Sequence, residues 1–540
     1  MPALAEGLTL VDNPSRGRGI TASRAFSPGA TIAVFSNPSI AIPDSPHLDQ
    51  TCNLCLAIDT NLSSLKLRAC TGCRVVVYCS PACQKADWQR VHKGECKVFK
   101  RVRAEGHDFL PTPVRALVQV LLRPEMQAAA AEMEGHVDAF RTAGGKGKAW
   151  TDMELQAMAA LHYMGREASP RSLGQAVEVL YKLQVNSFNR MDVDIGQTGL
   201  FLNPALAMVN HSCVPNAFVQ FVGRHAVLHA YREIKEGEEI EISYIDCNLH
   251  RAHRQEALKI RYHFNCSCPR CKDDLDVYQV CQRYPHLELN SLSLVPDLQK
   301  LRDPSIGQSL HSDSSLQINV EEIYPGCSAS LQGLSSTDKI KSLRRRWRAC
   351  EQLHKARLYA IEPLNQVLVE VAVYFGENGN FEYSLAISCF LALNSDPFRA
   401  PMPFAPQRVK GLLMIGKLLA NTAPADHVTS EGTTAPLANK ISQALSRMDQ
   451  ATTCQVMLAL VVHYGPAAHS KEWPIYRQAV ELLDDLESLP GRETEHALVT
   501  AFMRNPNGPE ERRFFETAVL GPIQLLSDFA LEVMASELGS

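Results

Sequence analysis

Asn210-His211-Ser212-Cys213-Val214-Pro215-Asn216 is followed by Glu241-Ile242-Ser243-Tyr244 and then by Cys266-Ser267-Cys268-Pro269-Arg270-Cys271, and the order and spacing of these three strings decide the fold. The last string crowds three thiols into one short segment, one ligand fewer than a closed tetrahedral zinc site takes. Between the first two strings, Ala217–Val222 and His225–Tyr231 flank Gly223-Arg224 as a hairpin. Ile234-Lys235-Glu236-Gly237-Glu238-Glu239 makes a second turn, leading into a strand that carries Glu241 to Tyr244.

Upstream, cysteine and histidine recur as Cys52-x2-Cys55, Cys70-x2-Cys73, Cys79-x3-Cys83 and His92-x3-Cys96. Such a set fills two tetrahedral sites and leaves no coordination position open for a substrate, so both ions are structural. His92 and Cys96 stand one helical turn apart and point to one side. Spacing alone allows either interleaved or sequential pairing. So short a segment buries little, and structural zinc, at about 10–16 kcal/mol in finger peptides, replaces the missing core. Basic residues outnumber acidic ones between Lys66 and Arg103, where the acids are Asp87 and Glu95. The negative charge of zinc–thiolate centres offsets part of that excess, which favours a surface that neutralises its metal sites over one that binds DNA.

The three central strings look like the core of a SET domain, and residues 52–96 look like a MYND zinc module. Their combination and order resemble the SET-and-MYND (SMYD-like) protein-lysine methyltransferase family. The resemblance implies an α+β multidomain chain: a β-rich SET fold interrupted by the MYND module and a helical insertion, then an α-helical, tetratricopeptide-like C-terminal domain. The corresponding bounds are 1–50 for the first part of the SET domain, 51–97 for MYND, 98–195 for the insertion, 196–250 for the SET core, 251–275 for a post-SET zinc segment, 276–340 for a linker and 341–540 for the C-terminal helices.

By resemblance, Cys52, Cys55, Cys79 and Cys83 share one zinc, and Cys70, Cys73, His92 and Cys96 share another. Cys213 completes a third with Cys266, Cys268 and Cys271; Cys247, nearer in sequence, is the competing fourth ligand. The cofactor is S-adenosylmethionine. Arg16-Gly17-Arg18-Gly19, in a turn between the strand-like Leu8–Val11 and Ile20–Ala25, matches the glycine loop at its methionine end, glycine suiting close backbone approach. Asn210 and His211 present backbone groups to the adenine; the serine often found before them is Ala207 here. His136, Asn186, Tyr244 and Phe264 complete the cofactor contacts. Phe188 and Tyr262 wall the lysine channel, although periodicity alone reads them as core aromatics. Tyr244 is the catalytic residue: methyl transfer needs an aligned, deprotonated amine, and a fixed phenol supplies alignment.

At 540 residues, with 45% hydrophobic and 21% charged residues and a formal net charge of −4, the chain fits a soluble multidomain protein and disfavours wholesale nucleic-acid binding. It has no unbroken apolar run of membrane-spanning length and no secretory leader pattern, so no membrane partner is expected. The 17 cysteines fit metal ligation and buried thiols in a reducing compartment, nucleus and cytoplasm. Thr151-x-x-Glu154 reads as a capping box and Ser169-Pro170 as a second helix start, with Ala176, Val177, Leu180 and Leu183 facing a core. Residues 276–340 are Ser-rich and read as linker. Leu358-x-x-Ile361, Leu364–Val371, Phe381–Leu393, Gln407–Asn421 and Ser442–Tyr464 read as helices, and 422–437 as a surface loop. The expected partner is a histone or non-histone protein offering an exposed lysine, with a proline-containing peptide on the MYND module. The alternative function is a MYND-mediated adapter or transcriptional regulator with an inactive SET domain; intact Tyr244, Asn210, His211 and late cysteines favour the enzyme.

Overall fold

The computed structural model describes residues 4–13, 16–58, 66–139, 148–192, 195–283, 287–308, 310, 313–422 and 436–539. The chain is α+β and forms two compact units, Met1–Ile245 with Gln255–Cys266, and Asp246–Arg254 with Ser267–Ser540.

The first unit holds the small open sheets. Strand β1 (Leu8–Asn13) pairs antiparallel with β2 (Gly17–Ala22), Val11 facing Gly19 and Asn13 facing Gly17. The Gly17-Arg18-Gly19 run is therefore strand, not turn. The Arg16 N–H donates to the Asn13 carbonyl at 3.1 Å before this run, and Pro14 and Ser15 lie outside the described residues. Strand alternation buries Ile20 and Ala22. Strand β3 (Thr31–Phe35) joins the expected hairpin of β10 (Ala217–Val222) and β11 (His225–Ala230). Strands β4 (Ile40–Pro43), β8 (Gly196–Leu202) and β7 (Phe188–Asp192) make a second three-stranded sheet, in that order. Strand β9 (Asn210–His211) runs parallel to β12 (Glu241–Ile242), Asn210 opposite Glu241. This strand stops before Tyr244, contrary to the sequence reading, because the Tyr244 N–H leaves the ladder for a side chain.

Within the zinc-binding segment, β5 (Arg68–Ala69) pairs with β6 (Val77–Tyr78). Helix α1 (Pro81–Asp87) is capped by Ser80, whose Oγ accepts the Cys83 N–H at 3.2 Å. A wide turn at Trp88–His92 leads into α2 (Lys93–Ala104). The insertion adds α3 (Thr112–Leu121), α4 (Pro124–Ala131), α5 (Lys148–Met164) and α6 (Pro170–Asn186). Ser169 caps α6 as expected, and Ala176, Val177, Leu180 and Leu183 are buried. Thr151 lies inside α5, three residues past Lys148, so it is not a cap. Val98, Phe99, Leu117, Leu180 and Tyr181 share one apolar core with Cys52, Cys70 and Ile42. The zinc segment and the insertion thus fold as one body. A separate core of Ile20, Phe26, Phe201, Leu228 and Ile240 lies among the strands.

The second unit is helical. The stretch 276–340, read as linker, instead carries Val277–Arg283, Leu298–Arg302 and Ser314–Cys327, with Tyr278, Cys281, Leu294, Leu301 and Val320 buried. Its short apolar pieces are packing positions spaced by serines; Ser309 and Ser312 lie outside the described residues. Leu358 and Ile361 lie in turns between Glu351–Lys355 and Leu364–Glu377. Phe381–Asn394 packs on Leu364–Glu377, and Pro406–Asn421 on Gln450–Ala468. The helix expected over Ser442–Tyr464 is two, Pro436–Leu445 and Gln450–Ala468, divided where Asp449 Oδ1 accepts the Thr452 N–H at 3.1 Å. Most of the expected 422–437 loop lies outside the described residues. One run, Pro509–Leu538, is long and apolar enough to cross a membrane by length and composition. It is a succession of helical pieces, and Val519, Ile523, Leu526, Val533 and Met534 are buried among the unit's own helices.

Candidate functional site

Three groups of ligand atoms converge within 4.8 Å: Cys52, Cys55, Cys79 and Cys83; Cys70, Cys73, His92 and Cys96; and Cys213, Cys266, Cys268 and Cys271. The first two follow the interleaved pattern. Sulfurs of Cys55 and Cys79, and of Cys79 and Cys83, stand 3.5 Å apart, near the ~3.8 Å edge that Zn–S bonds impose on a tetrahedron. The donor sets therefore fit zinc. In the third group Cys213, not Cys247, joins the late string.

His92 Nε2 faces the sulfurs of Cys70 and Cys73 at 3.4 and 3.7 Å, while Nδ1 meets Glu95 Oε2 at 3.1 Å. That leaves Nε2 as the metal-facing nitrogen. Glu95 also accepts Arg115 Nε at 2.8 Å and Gln119 Nε2 at 3.0 Å. Burial opposes its ionisation, but the Arg115 guanidinium and the hydrogen bonds hold the carboxyl well below the usual range. Arg115 Nη2 continues to Asn53 Oδ1 at 2.6 Å, Asn53 Nδ2 to Asp87 Oδ2 at 2.6 Å, and Tyr78 Oη to the same oxygen at 2.9 Å. One buried polar chain thus joins both zinc groups of the MYND segment to α3. Sequence reading missed it; the only signal was Glu95 one turn from His92.

Tyr244 is half-buried, with its Oη donating to the Val209 carbonyl at 2.7 Å. Its ring lies 4.8 Å from that of buried Tyr262 and 5.2 Å from that of His211, which in turn lies 6.0 Å from Phe264. Burial, with Tyr262 beside it, pushes the Tyr244 phenol well above its ordinary pKa. The Tyr244 N–H donates to His211 Nδ1 at 3.0 Å, and His211 Nε2 stands 3.3 Å from Cys213 Sγ. Phe188 packs against the same strand core as Tyr244.

The glycine strand closes on this group from β2. Asn210 Nδ2 donates to the Arg18 carbonyl at 3.2 Å and to Glu239 Oε1 at 2.8 Å. A Cβ on Gly19 would lie 2.8 Å from that carboxylate oxygen and 2.9 Å from the Asn210 amide, so a larger residue would have to displace the Glu239 and Asn210 side chains. Arg16 reaches Glu239 at 2.9 Å, Glu241 at 2.8 Å and the His211 carbonyl at 3.0 Å. Its guanidinium is held by these carboxylates, partners the sequence did not suggest.

Asn186 Nδ2 donates to the Glu134 carbonyl at 2.7 Å, and Glu134 Oε1 accepts the N–H groups of Gly135 and His136. His136, with φ at 49°, brings its ring 6.2 Å from that of His263, whose chain neighbours are Tyr262 and Phe264. The residues selected for the cofactor and the lysine channel therefore all belong to the first unit. Their amide, imidazole and aromatic groups suit a zwitterionic nucleoside sulfonium such as S-adenosylmethionine: amides and main-chain groups for polar ends, rings for adenine and sulfonium.

The MYND finger family model matches residues 52–96. The chain is 34% identical over 292 residues to "SET domain and MYND-type zinc finger protein 6" of Schizosaccharomyces pombe, covering 54% of this chain and 57% of that protein. It is 31% identical over 309 residues to "N-lysine methyltransferase SMYD2-B" of Xenopus laevis, covering 55% of this chain and 67% of the relative. To human "Histone-lysine N-methyltransferase SMYD3" it is 31% identical over 265 residues, 48% and 59% of the two chains. The chain spans about half to two thirds of the length of the curated relatives it matches. Zinc-ligand groups, strand order and these likenesses together place the chain in the SET and MYND domain-containing protein family.

Proposed function

We propose that the protein is an S-adenosylmethionine-dependent protein-lysine N-methyltransferase acting on histone or non-histone proteins. The observation that carries this reading is the fixed, shielded phenol of Tyr244 between Val209, His211 and Tyr262. S-adenosylmethionine, when bound, supplies a methyl group made electrophilic by its sulfonium. The main chain at Gly17–Gly19, the Asn210-His211 strand and the Asn186–His136 corner hold it, and Phe264 covers it. Phe188 and Tyr262 wall the passage for the lysine stem.

With its proton committed to Val209, the Tyr244 oxygen presents lone pairs to the incoming amine and fixes its direction. The raised phenol pKa keeps Tyr244 neutral, so it aligns rather than deprotonates. The amine arrives neutral because an aromatic passage disfavours its charged form. The three thiol groups each hold a structural zinc, and the bounds 1–50 and 196–250 frame the SET core around the MYND module and insertion. Reduced thiols and lysine-bearing substrates fit a nuclear and cytoplasmic location.

Purified full-length protein, label-bearing S-adenosylmethionine and whole-cell extract, run beside Tyr244→Phe, test this reading. Label that depends on Tyr244 supports it, and label unchanged in the variant removes Tyr244 from its role. Absence of cofactor binding by calorimetry would favour an adapter acting through the MYND module.

A further inference from the structure

Four arginines meet where the β10–β11 hairpin touches the zinc-binding segment, all within the first unit. Arg224 Nη1 donates to the carbonyls of Ala41 and Leu54, both at 3.3 Å. Arg190 Nη2 donates to Gly223, the neighbour of Arg224, at 2.7 Å. Arg123 donates through Nε to Gln119 at 2.9 Å and through Nη1 to Ser39, two residues from Ala41, at 3.0 Å. Arg90 Nη2 is 3.5 Å from Asp87 Oδ1.

These contacts leave donors over. Arg90 Nε, Arg123 Nη2 and both Nε and Nη1 of Arg190 are buried without an acceptor among the described residues. Arg190 is 4% exposed and Arg123 9%. Burial, then repulsion from Arg90, Arg123 and Arg190, holds the Arg224 pKa down to about 10; burial and Arg90 do the same to Arg123. Arg123, Arg190 and Arg224 still carry charge at neutral pH. Among the described residues, Asp87 offsets one charge by pairing with Arg90 through Oδ1 while Asn53 and Tyr78 hold its Oδ2; Glu95 is engaged by Arg115 and Gln119, and Asp192 Oδ1 accepts the Ile195 N–H. Glu125 is exposed.

A buried hydrogen-bond donor can be satisfied by water, but crowded like charges need a counter-charge. Guanidinium forks match the edges of a tetrahedral oxyanion. We propose that Arg90, Arg123, Arg190 and Arg224 bind a small oxyanion of the phosphate or sulfate class. Burial of the donors favours a free ion over a phosphate carried on a macromolecule. The ion ties the hairpin tip to the zinc segment and β4.

The test uses zinc-loaded full-length protein, stripped of oxyanions in chloride buffer, and radiolabelled inorganic phosphate in equilibrium dialysis at constant ionic strength. The expected result is a saturable single-site isotherm, displaced by sulfate and not by chloride. Arg190→Gln and Arg224→Gln weaken retention roughly tenfold or more, whereas the exposed-site control Lys85→Gln leaves it unchanged. Arg190→Lys keeps the charge but loses the fork, and weakens retention in the same direction. No saturable retention by the wild-type protein overturns the proposal even if the variants do not fold, and so does retention equal in wild type and both glutamine variants.

Discussion

The backbone N–H of Tyr244 donates to Nδ1 of His211 across 3.0 Å, and the opposite nitrogen of that ring stands 3.3 Å from the thiol of Cys213. Since the amide can only donate, Nδ1 must accept, and the neutral ring carries its proton on Nε2, directed at the sulfur. One imidazole thus fixes where the phenol begins and stands beside a thiol of the third ligand group.

His211→Ala removes this link. Methyl transfer is expected to fall roughly 10–100-fold, the range for lost metal-supporting partners, and kcat should fall more than cofactor affinity. Rate measurements with label-bearing S-adenosylmethionine, beside calorimetric cofactor binding, check the split. Equal loss in both would instead mean that the ring serves binding.

Metal content separates the two candidate thiols. Cys213→Ser should lower bound zinc by one ion per chain relative to the three ligand groups present, and Cys247→Ser should not. Elemental analysis of the purified variants decides between them. Zinc lost with Cys247 alone would refute the assignment of Cys213.

Arg115→Met strands the buried Glu95 carboxylate without its cation. Breaking a buried pair from one side costs about 3–5 kcal/mol. Denaturant unfolding should show that loss, and a chromogenic chelator should strip zinc from the His92 group faster than from wild type. Retained stability with unchanged zinc release would reduce the network to incidental packing.

In the helical unit, burial raises the Asp396 carboxyl to about 6, against the opposing pull of Arg399 and Arg408. The folded chain then binds more protons than the unfolded chain between roughly pH 4 and 6, so stability falls as pH rises through that window and stays lower above it. Asp396→Asn should flatten this window and stabilise the protein at neutral pH by about 1–3 kcal/mol. Chemical denaturation between pH 4 and 7.5 measures both effects.

Cysteine spacing made the metal groups readable in advance, because tetrahedral ligation demands short pairs and a turn of helix. Ser169 and the hairpin about Gly223 were equally plain, since cap and turn chemistry is local. What escaped was set by distant partners. Arg16 is claimed by Glu239 and Glu241 from far along the chain, and Tyr244 slips off its strand to reach His211. Thr151 had the composition of a cap, but the described helix already includes Lys148. The serine-spaced stretch before residue 340 hid buried positions such as Tyr278 and Leu301 that a period of 3.6 too short to recur did not reveal.

The brief parallel ladder of β9 and β12 has a kinetic corollary. Its two members run the same way with a whole hairpin strung between them, so the pairing cannot precede that hairpin without closing a long, unrewarded loop. A chain emerging during synthesis therefore sets the contact between the Tyr244 N–H and His211 late, after the intervening strands have settled.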